Sequence, residues 1–254
     1  CHCVSLVDRT LEIAFTSLTC MHTRQRQILE YMAAAQTLFE TDRNLLLTSS
    51  TASGKTEAAF FPILTELWEN PPASVGVIYI APLKSLINDQ FYRIEQLLDQ
   101  SGIPVTHWHG DVAASHKRKL LETPRGVLQI TPESLESMLM NRSNDIVRLF
   151  FDLRYIVIDE LHTLMGSDRG HQIICQICRI SKMIGRSPRR IGLSATVGDI
   201  ESACDWLGSG SERDTVCPRL PAEKLRWRLG AEQFYIGTQG VANPSPEGMA
   251  VASG

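Results

Sequence analysis

The sequence has no run of eighteen apolar residues, no surplus of positive charge and no even set of cysteines. Each absence removes a class of protein. A membrane-spanning helix needs about twenty predominantly apolar residues in a row, so none is expected, and no secretory leader pattern is present either. Lys and Arg number 25 against 28 Asp and Glu, for a net charge of −3. Bulk attraction to a polyanion is therefore excluded. Any contact with nucleic acid has to come from a local patch or from backbone amides. The seven cysteines stand at positions 1, 3, 20, 175, 178, 204 and 217. That scatter is unlike a disulfide framework and fits a reducing, cytoplasmic setting. Cys175 and Cys178 form a C-x-x-C, but no second pair follows at zinc-finger spacing and the segment reads as a helix. Both are expected to be buried structural thiols. Repeats and low-complexity tracts are absent as well. The chain begins with Cys1 rather than Met, so a piece of a longer protein is expected, with Cys1, His2 and Cys3 a frayed terminus.

What the sequence does contain is alternation. Short apolar runs occur at Asn44–Thr48, Val75–Ala81, Val105–His109, Val127–Thr131, Tyr155–Asp159 and Arg190–Ser194. Longer amphipathic segments separate them, among them Lys55–Glu69, Ser85–Gln100, Pro132–Met140 and His171–Ile184. Strand and helix in turn predict an α/β fold: a doubly wound parallel sheet with helices on both faces. The unbroken apolar character of Tyr155–Ile158 suits a central strand. The alternation fades after about residue 208, where Gly and Ser give way to Pro218 and Pro221. We read 1–20 as an N-terminal extension, 21–208 as the compact domain, and 209–254 as a linker with the start of a further domain.

Three segments carry chemistry. Residues 49–56 read Ser-Ser-Thr-Ala-Ser-Gly-Lys-Thr, after an apolar strand and before a helix. This is the setting of a phosphate-binding loop. Amides of Ser50, Thr51, Ala52, Ser53 and Gly54 would face the phosphates at the positive end of the helix dipole. Lys55 would reach the β- and γ-phosphates and the Thr56 hydroxyl would sit on Mg²⁺. The usual loop has a glycine where Ser49 stands, and only Gly54 is kept. Asp159-Glu160-Leu161-His162 follows the apolar run Tyr155–Ile158. A carboxylate at the carboxyl end of a parallel strand lies where open α/β sheets bind ligands. Asp159 would hold Mg²⁺, mostly through water. Glu160 would orient and deprotonate the attacking water. His162 would link the nucleotide to Ser194-Ala195-Thr196, where Ser194 and Thr196 could sense a γ-phosphate.

These segments, in order and spacing, resemble the superfamily-two DExH helicases. Ser49–Thr56 resembles motif I, Ala81–Leu86 motif Ia, Thr131–Leu135 motif Ib, Asp159–His162 motif II and Ser194–Thr196 motif III. The run from Asp159 through Arg169-Gly170 to Asp199 is most similar to the Lhr-type (large helicase-related) group. The resemblance implies a first RecA-like domain that binds and hydrolyses ATP with Mg²⁺. It implies movement along nucleic acid, on single-stranded or partly duplex DNA in the 3′-to-5′ direction if Lhr-like, with RNA also open. Pro82 and Lys84 in motif Ia, with Thr131 and Pro132 in motif Ib, are then the residues at the strand's phosphate backbone. Such contacts position a strand but read no sequence. The His109-Gly110-Asp111 turn is expected on the same edge, whereas Lys117-Arg118-Lys119 reads as an ordinary charged helix face. An upstream glutamine reads adenine in related families; Gln25 is preferred, with Gln27 as competitor. The family pairs two RecA-like domains, and no block after residue 208 resembles the arginine-finger motif Q-x-x-G-R-x-x-R. Half of an active site is therefore expected, with the second domain elsewhere. Two other readings stay open: a translocase that does not unwind, and an ATP- and nucleic-acid-binding module without turnover.

Replacing Lys55 tests the phosphate-loop reading. Lys55→Ala is expected to abolish tight Mg-ATP binding by calorimetry while leaving the circular dichroism spectrum and melting temperature unchanged. Unaltered affinity would refute the assignment.

Overall fold

The computed structural model describes residues 24–48, 54–83, 87, 92, 94, 95, 98, 102–195, 197–218, 236–237 and 240–241, with side chains left out at 24–31, 236–237 and 240–241. It divides into two units, Cys1–Leu220 and Pro221–Gly254. The second contributes a short antiparallel pair, described below.

In the first unit the order is α1 (Arg24–Glu40), β1 (Asn44–Thr48), α2 (Lys55–Glu69), β2 (Val75–Ile80), β3 (Val105–Trp108), α3 (Ala114–Glu122) and β4 (Gly126–Ile130). Then come α4 (Pro132–Asn141), α5 (Ser143–Phe150), β5 (Tyr155–Ile158), α6 (Leu161–Leu164), α7 (Asp168–Ile184), β6 (Arg189–Ser194), α8 (Ile200–Gly208) and β7 (Thr215–Val216). In the second unit β8 (Ile236–Gly237) pairs antiparallel with β9 (Gly240–Val241).

Strands β1 to β7 form one sheet in the order β3-β4-β2-β5-β6-β1-β7. Every pairing in it is parallel. The strands expected from apolar runs are all present, and β5 is the central one of the seven. The sheet also continues into the stretch expected to be linker, because β7 adds beside β1 through Asn44↔Thr215 and Leu45↔Val216.

Alternating side chains divide the core into two layers, as the pleat requires. Leu45, Leu47, Val77, Tyr79, Val127, Val157 and Leu193 face one way, under α1, α2 and the helical positions Ile87, Ile94 and Leu98. Leu46, Ile78, Ile80, Leu128, Ile130, Ile156 and Ile158 face the other, against α4 to α8. Both faces are therefore dry, which is why the strands read as continuous apolar runs.

Two buried arginines tie helices to the sheet. Arg189 donates to the carbonyls of Thr37 (2.8 Å), Leu38 (2.6 Å) and Arg43 (2.6 Å), closing the end of α1. Arg190 donates to Leu207 O (2.9 Å) and Ser209 O (2.6 Å) at the end of α8. Helix C-termini leave carbonyls without partners, and a guanidinium satisfies several at once.

Helix α7 starts by a close backbone approach. Its N-cap Ser167 accepts from Gly170 N at 3.1 Å, and a Cβ at Gly170 would lie 2.0 Å from the Leu164 carbonyl oxygen. Gly170→Ala must push α6 and α7 apart. It is expected to destabilise the domain by about 1–3 kcal/mol, the usual cost of overpacking, as read from urea unfolding. An unchanged midpoint would show that the contact gives way freely.

Candidate functional site

The carboxyl ends of β1, β6 and β5 lie side by side, and each carries one of the expected segments. Parallel register sets Thr48 level with Ser194 and Ile158 level with Gly192. The loop after β1, the hydroxyl at the end of β6 and the acidic turn after β5 thus share one edge of the sheet.

On the β1 side, Gly54 adopts the left-handed region (φ 82°) as the residue before α2. A side chain is disfavoured in that conformation, so this is the loop's one indispensable glycine among the described residues. Lys55 and Thr56 occupy the first turn of α2, and Thr56 is buried. Helix α2 buries Ala58, Ala59, Phe60, Phe61, Ile63 and Leu64 in the core. That anchoring holds its positive end at the sheet edge. Ser49, Ser50, Thr51, Ala52 and Ser53 lie outside the described residues, as do Lys84, Thr196 and the side chains of Gln25 and Gln27.

On the β5 side, Asp159 is 6% exposed. Its Oδ1 accepts from the Glu160 amide at 2.9 Å, and its Oδ2 accepts from the Tyr79 hydroxyl. Burial pushes the Asp159 carboxyl up from the ordinary carboxylate range, and the Glu160 charge adds to this. The Tyr79 hydroxyl, the Glu160 amide and the Lys55 ammonium pull the other way. A cation beside this desolvated carboxylate would stabilise its charge, as the Lys55 ammonium of α2 does in small part.

Glu160 is the one non-glycine residue at positive φ among the described residues, at 50°. The turn drives the chain straight from β5 into α6. Leu161 is fully buried, and its Cδ1 lies 2.7 Å from where a Cβ on Gly192 would be. The missing side chain at Gly192 lets Leu161 seat on β6, and its burial offsets the strain at Glu160. Glu160 and His162 remain partly exposed above the edge.

His162 is brought to the Ser-Ala-Thr segment, as expected. Its Nδ1 lies 3.4 Å from Ser194 Oγ, 3.4 Å from the Ala195 amide and 3.3 Å from Glu160 Oε2. Nδ1 can accept from the amide or, protonated, donate to the carboxylate, so the tautomer selects its partner.

Further along the same edge, after β2 and β4, the surface is more closed. Pro82, Thr131 and Pro132 are buried. The Thr131 hydroxyl accepts from Ser134 N (3.3 Å) and donates to Ser134 Oγ (3.0 Å), so it caps α4 and is already engaged. Helix α4 is clamped from behind by α7. Arg169 Nε donates to Glu133 (2.7 Å), Gln176 to Pro132 O (2.9 Å) and Arg179 to Glu136 (2.6 Å). Lys117 lies 5.7 Å from the centroid of the Trp108 ring, so one lysine of the charged face is partly occupied.

The C-x-x-C expectation needs correction: Cys175 is exposed and Cys178 half-exposed. On a helix the two are three residues apart, and only part of α7's surface faces the core. No group of three or more His, Cys, Asp or Glu suited to a metal occurs among the described residues. No helix among them is long and apolar enough to cross a membrane. Tyr79 was not anticipated at the site. A single tyrosine in the strand Val-Gly-Val-Ile-Tyr-Ile was the available hint, since a buried hydroxyl needs a partner.

Residues 25–203 match the DEAD/DEAH box helicase family. The Lhr helicase/probable uracil glycosylase of Mycolicibacterium smegmatis is 30% identical over 196 residues, covering 71% of this chain and 13% of that protein. The ATP-dependent helicase Lhr-Core of Methanothermobacter thermautotrophicus is 32% identical over 193 residues, covering 68% of this chain and 22% of that one. The chain thus spans under a quarter of these relatives. The structure of Mycobacterium smegmatis helicase Lhr bound to ssDNA and AMP-PNP superposes with a TM-score of 0.67 at 27% identity, over 83% of this chain and 27% of that one. That of helicase MrfA bound to DNA and AMPPNP gives 0.64 at 26%, over 74% and 26%. The doubly wound sheet is a RecA-like domain.

The strained turn makes a stability test. A left-handed residue costs roughly 1–2 kcal/mol unless it is Gly, Asn or Asp. Glu160→Asn is therefore expected to raise stability, by up to about 1 kcal/mol in a thermal or urea melt, although it shortens a site side chain. A loss of stability would show that the Glu160 carboxylate supports the fold.

Proposed function

The chain belongs to the DEAD/DEAH box helicase family, and from that premise we propose that it is the ATP-binding motor domain of a DExH nucleic-acid helicase or translocase. The observation that carries this reading is the shared edge of β1, β6 and β5. It gathers Gly54-Lys55-Thr56, Ser194 and Asp159-Glu160 from three separate stretches of sequence.

In this reading the α2 N-terminus and Lys55 bind the ATP phosphates. Thr56 and Asp159 fit Mg²⁺, since a hydroxyl and a carboxylate are the hard oxygen donors it takes. Bound there, Mg²⁺ would neutralise charge on the phosphates. Glu160, partly exposed beside Asp159, accepts the proton of the attacking water. His162, between Glu160 and Ser194, lets the acidic turn feel the end of β6. Gln25 reads adenine, and Thr196 and Ser194 follow the γ-phosphate.

Nucleic acid lies along the edge after β2 and β4. With the Thr131 hydroxyl and the Ser134 and Leu135 amides already engaged in the first turn of α4, Lys84 carries that contact. Single-stranded DNA is the favoured strand, because several of the relatives are Lhr-type and the similar Lhr structure holds ssDNA. The curated relatives are four or more times longer than the match, which supports a second RecA-like domain completing the site with arginines. The free thiols at 175, 178 and 204 support a reducing cytoplasm.

The test uses a longer chain that includes the second domain. Glu160→Gln is expected to keep ATP binding and lower DNA-stimulated turnover by about 10²–10⁴, the usual share of a general base. Turnover near that of the unaltered protein would move the base elsewhere.

A further inference from the structure

Tyr79 stands out as a polar side chain in the driest part of the molecule. It is fully buried near the end of β2, whose other side chains are Val75, Val77, Ile78 and Ile80. A buried hydroxyl is costly unless it is hydrogen-bonded, and phenylalanine would fill the same space without that cost.

Register explains where the hydroxyl goes. Tyr79 is level with Val157 on β5. Asp159 lies two residues beyond Val157 and therefore on the same face of the sheet. The Tyr79 hydroxyl donates to Asp159 Oδ2, while the Glu160 amide holds Oδ1 at 2.9 Å. With one donor on each oxygen, the carboxylate plane is fixed, and its remaining lone pairs are directed by the protein.

The ring has a second contact. Tyr79 packs on Phe60 of α2, with centroids 5.9 Å apart and planes at 46°. Phe60 is four residues after Thr56, on the same buried side of that helix. One side chain therefore touches the phosphate-loop helix through its ring and the acidic turn through its hydroxyl. It spaces the two halves of the nucleotide site.

We propose that Tyr79 is a positioning residue, whose hydroxyl orients the Asp159 carboxylate for the Mg²⁺ of a bound nucleotide. The proposal rests on the assignment of Asp159 to Mg²⁺ made above. Mg²⁺ demands near-ideal octahedral geometry, so a ligand that can rotate is a poorer ligand. Partners that hold a ligand in place matter to metal affinity by about 10- to 100-fold.

The experiment is a Mg²⁺ titration of the 254-residue chain with a fluorescent N-methylanthraniloyl ADP, beginning without metal. Tyr79→Phe is expected to leave metal-free nucleotide affinity unchanged and to raise the Mg²⁺ half-saturation by about 10-fold or more. In an Asp159→Asn background Tyr79→Phe is expected to add nothing, since the two act as one unit. Phe60→Leu, which disturbs the ring contact and keeps the hydroxyl, is expected to change the half-saturation little. A wild-type half-saturation in Tyr79→Phe, with Asp159→Asn strongly raised, overturns the positioning role and leaves the Mg²⁺ assignment standing. An effect of Phe60→Leu as large as that of Tyr79→Phe overturns the hydroxyl's part. No effect of Asp159→Asn removes the Mg²⁺ assignment and the proposal together.

Discussion

Leu161 seated against Gly192 is the contact on which the acidic turn depends. Without a Cβ at Gly192, the leucine reaches the β6 backbone and packs with Leu46 and Leu207. That burial holds Glu160 in a left-handed conformation, which turns the chain sharply enough to leave Asp159 at the strand end and Glu160 above it. A gentler turn would carry both carboxylates off the edge. The strain sits at the residue with the proposed proton-transfer role, and apolar packing one residue away maintains it.

The outer elements are held by a different device. Arg189 and Arg190 are adjacent on β6, and each closes the end of a different helix, α1 and α8. Pleating sends them to opposite faces of the sheet, so two neighbouring residues secure both layers. Helix α7 acts likewise on α4 through Arg169, Gln176 and Arg179. Helix α7, the second helix after the acidic turn, thus also fixes the part of the edge proposed to hold nucleic acid. The ATP-site segments and the proposed strand path lie along one edge of a single sheet, joined through α7 by charged and buried contacts.

Much of this was legible beforehand. Strands β1 to β6 follow from apolar runs, because a parallel sheet covered on both faces has no polar side to break the pattern. Gly54-Lys55-Thr56 and Asp159-Glu160 announce themselves by residue type next to strand ends. Short β7 did not, since two residues carry no periodicity. Cys175 and Cys178 were misread because composition cannot say which side of α7 meets the core. Residue type alone makes Thr131 a possible donor to a ligand, while its hydroxyl is engaged as the cap of its own helix.

The sequence by itself determined the class of fold, the order of its elements and the residues proposed to handle phosphate and metal, because period and residue chemistry are local properties. Tertiary structure alone decided which of them meet. Strand order put β6 between β5 and β1, so His162 reaches Ser194 across 32 positions of sequence. Register put Tyr79 beside Asp159 across 80. Such pairings arise from sheet topology and close packing, and neither is written in any short stretch of chain.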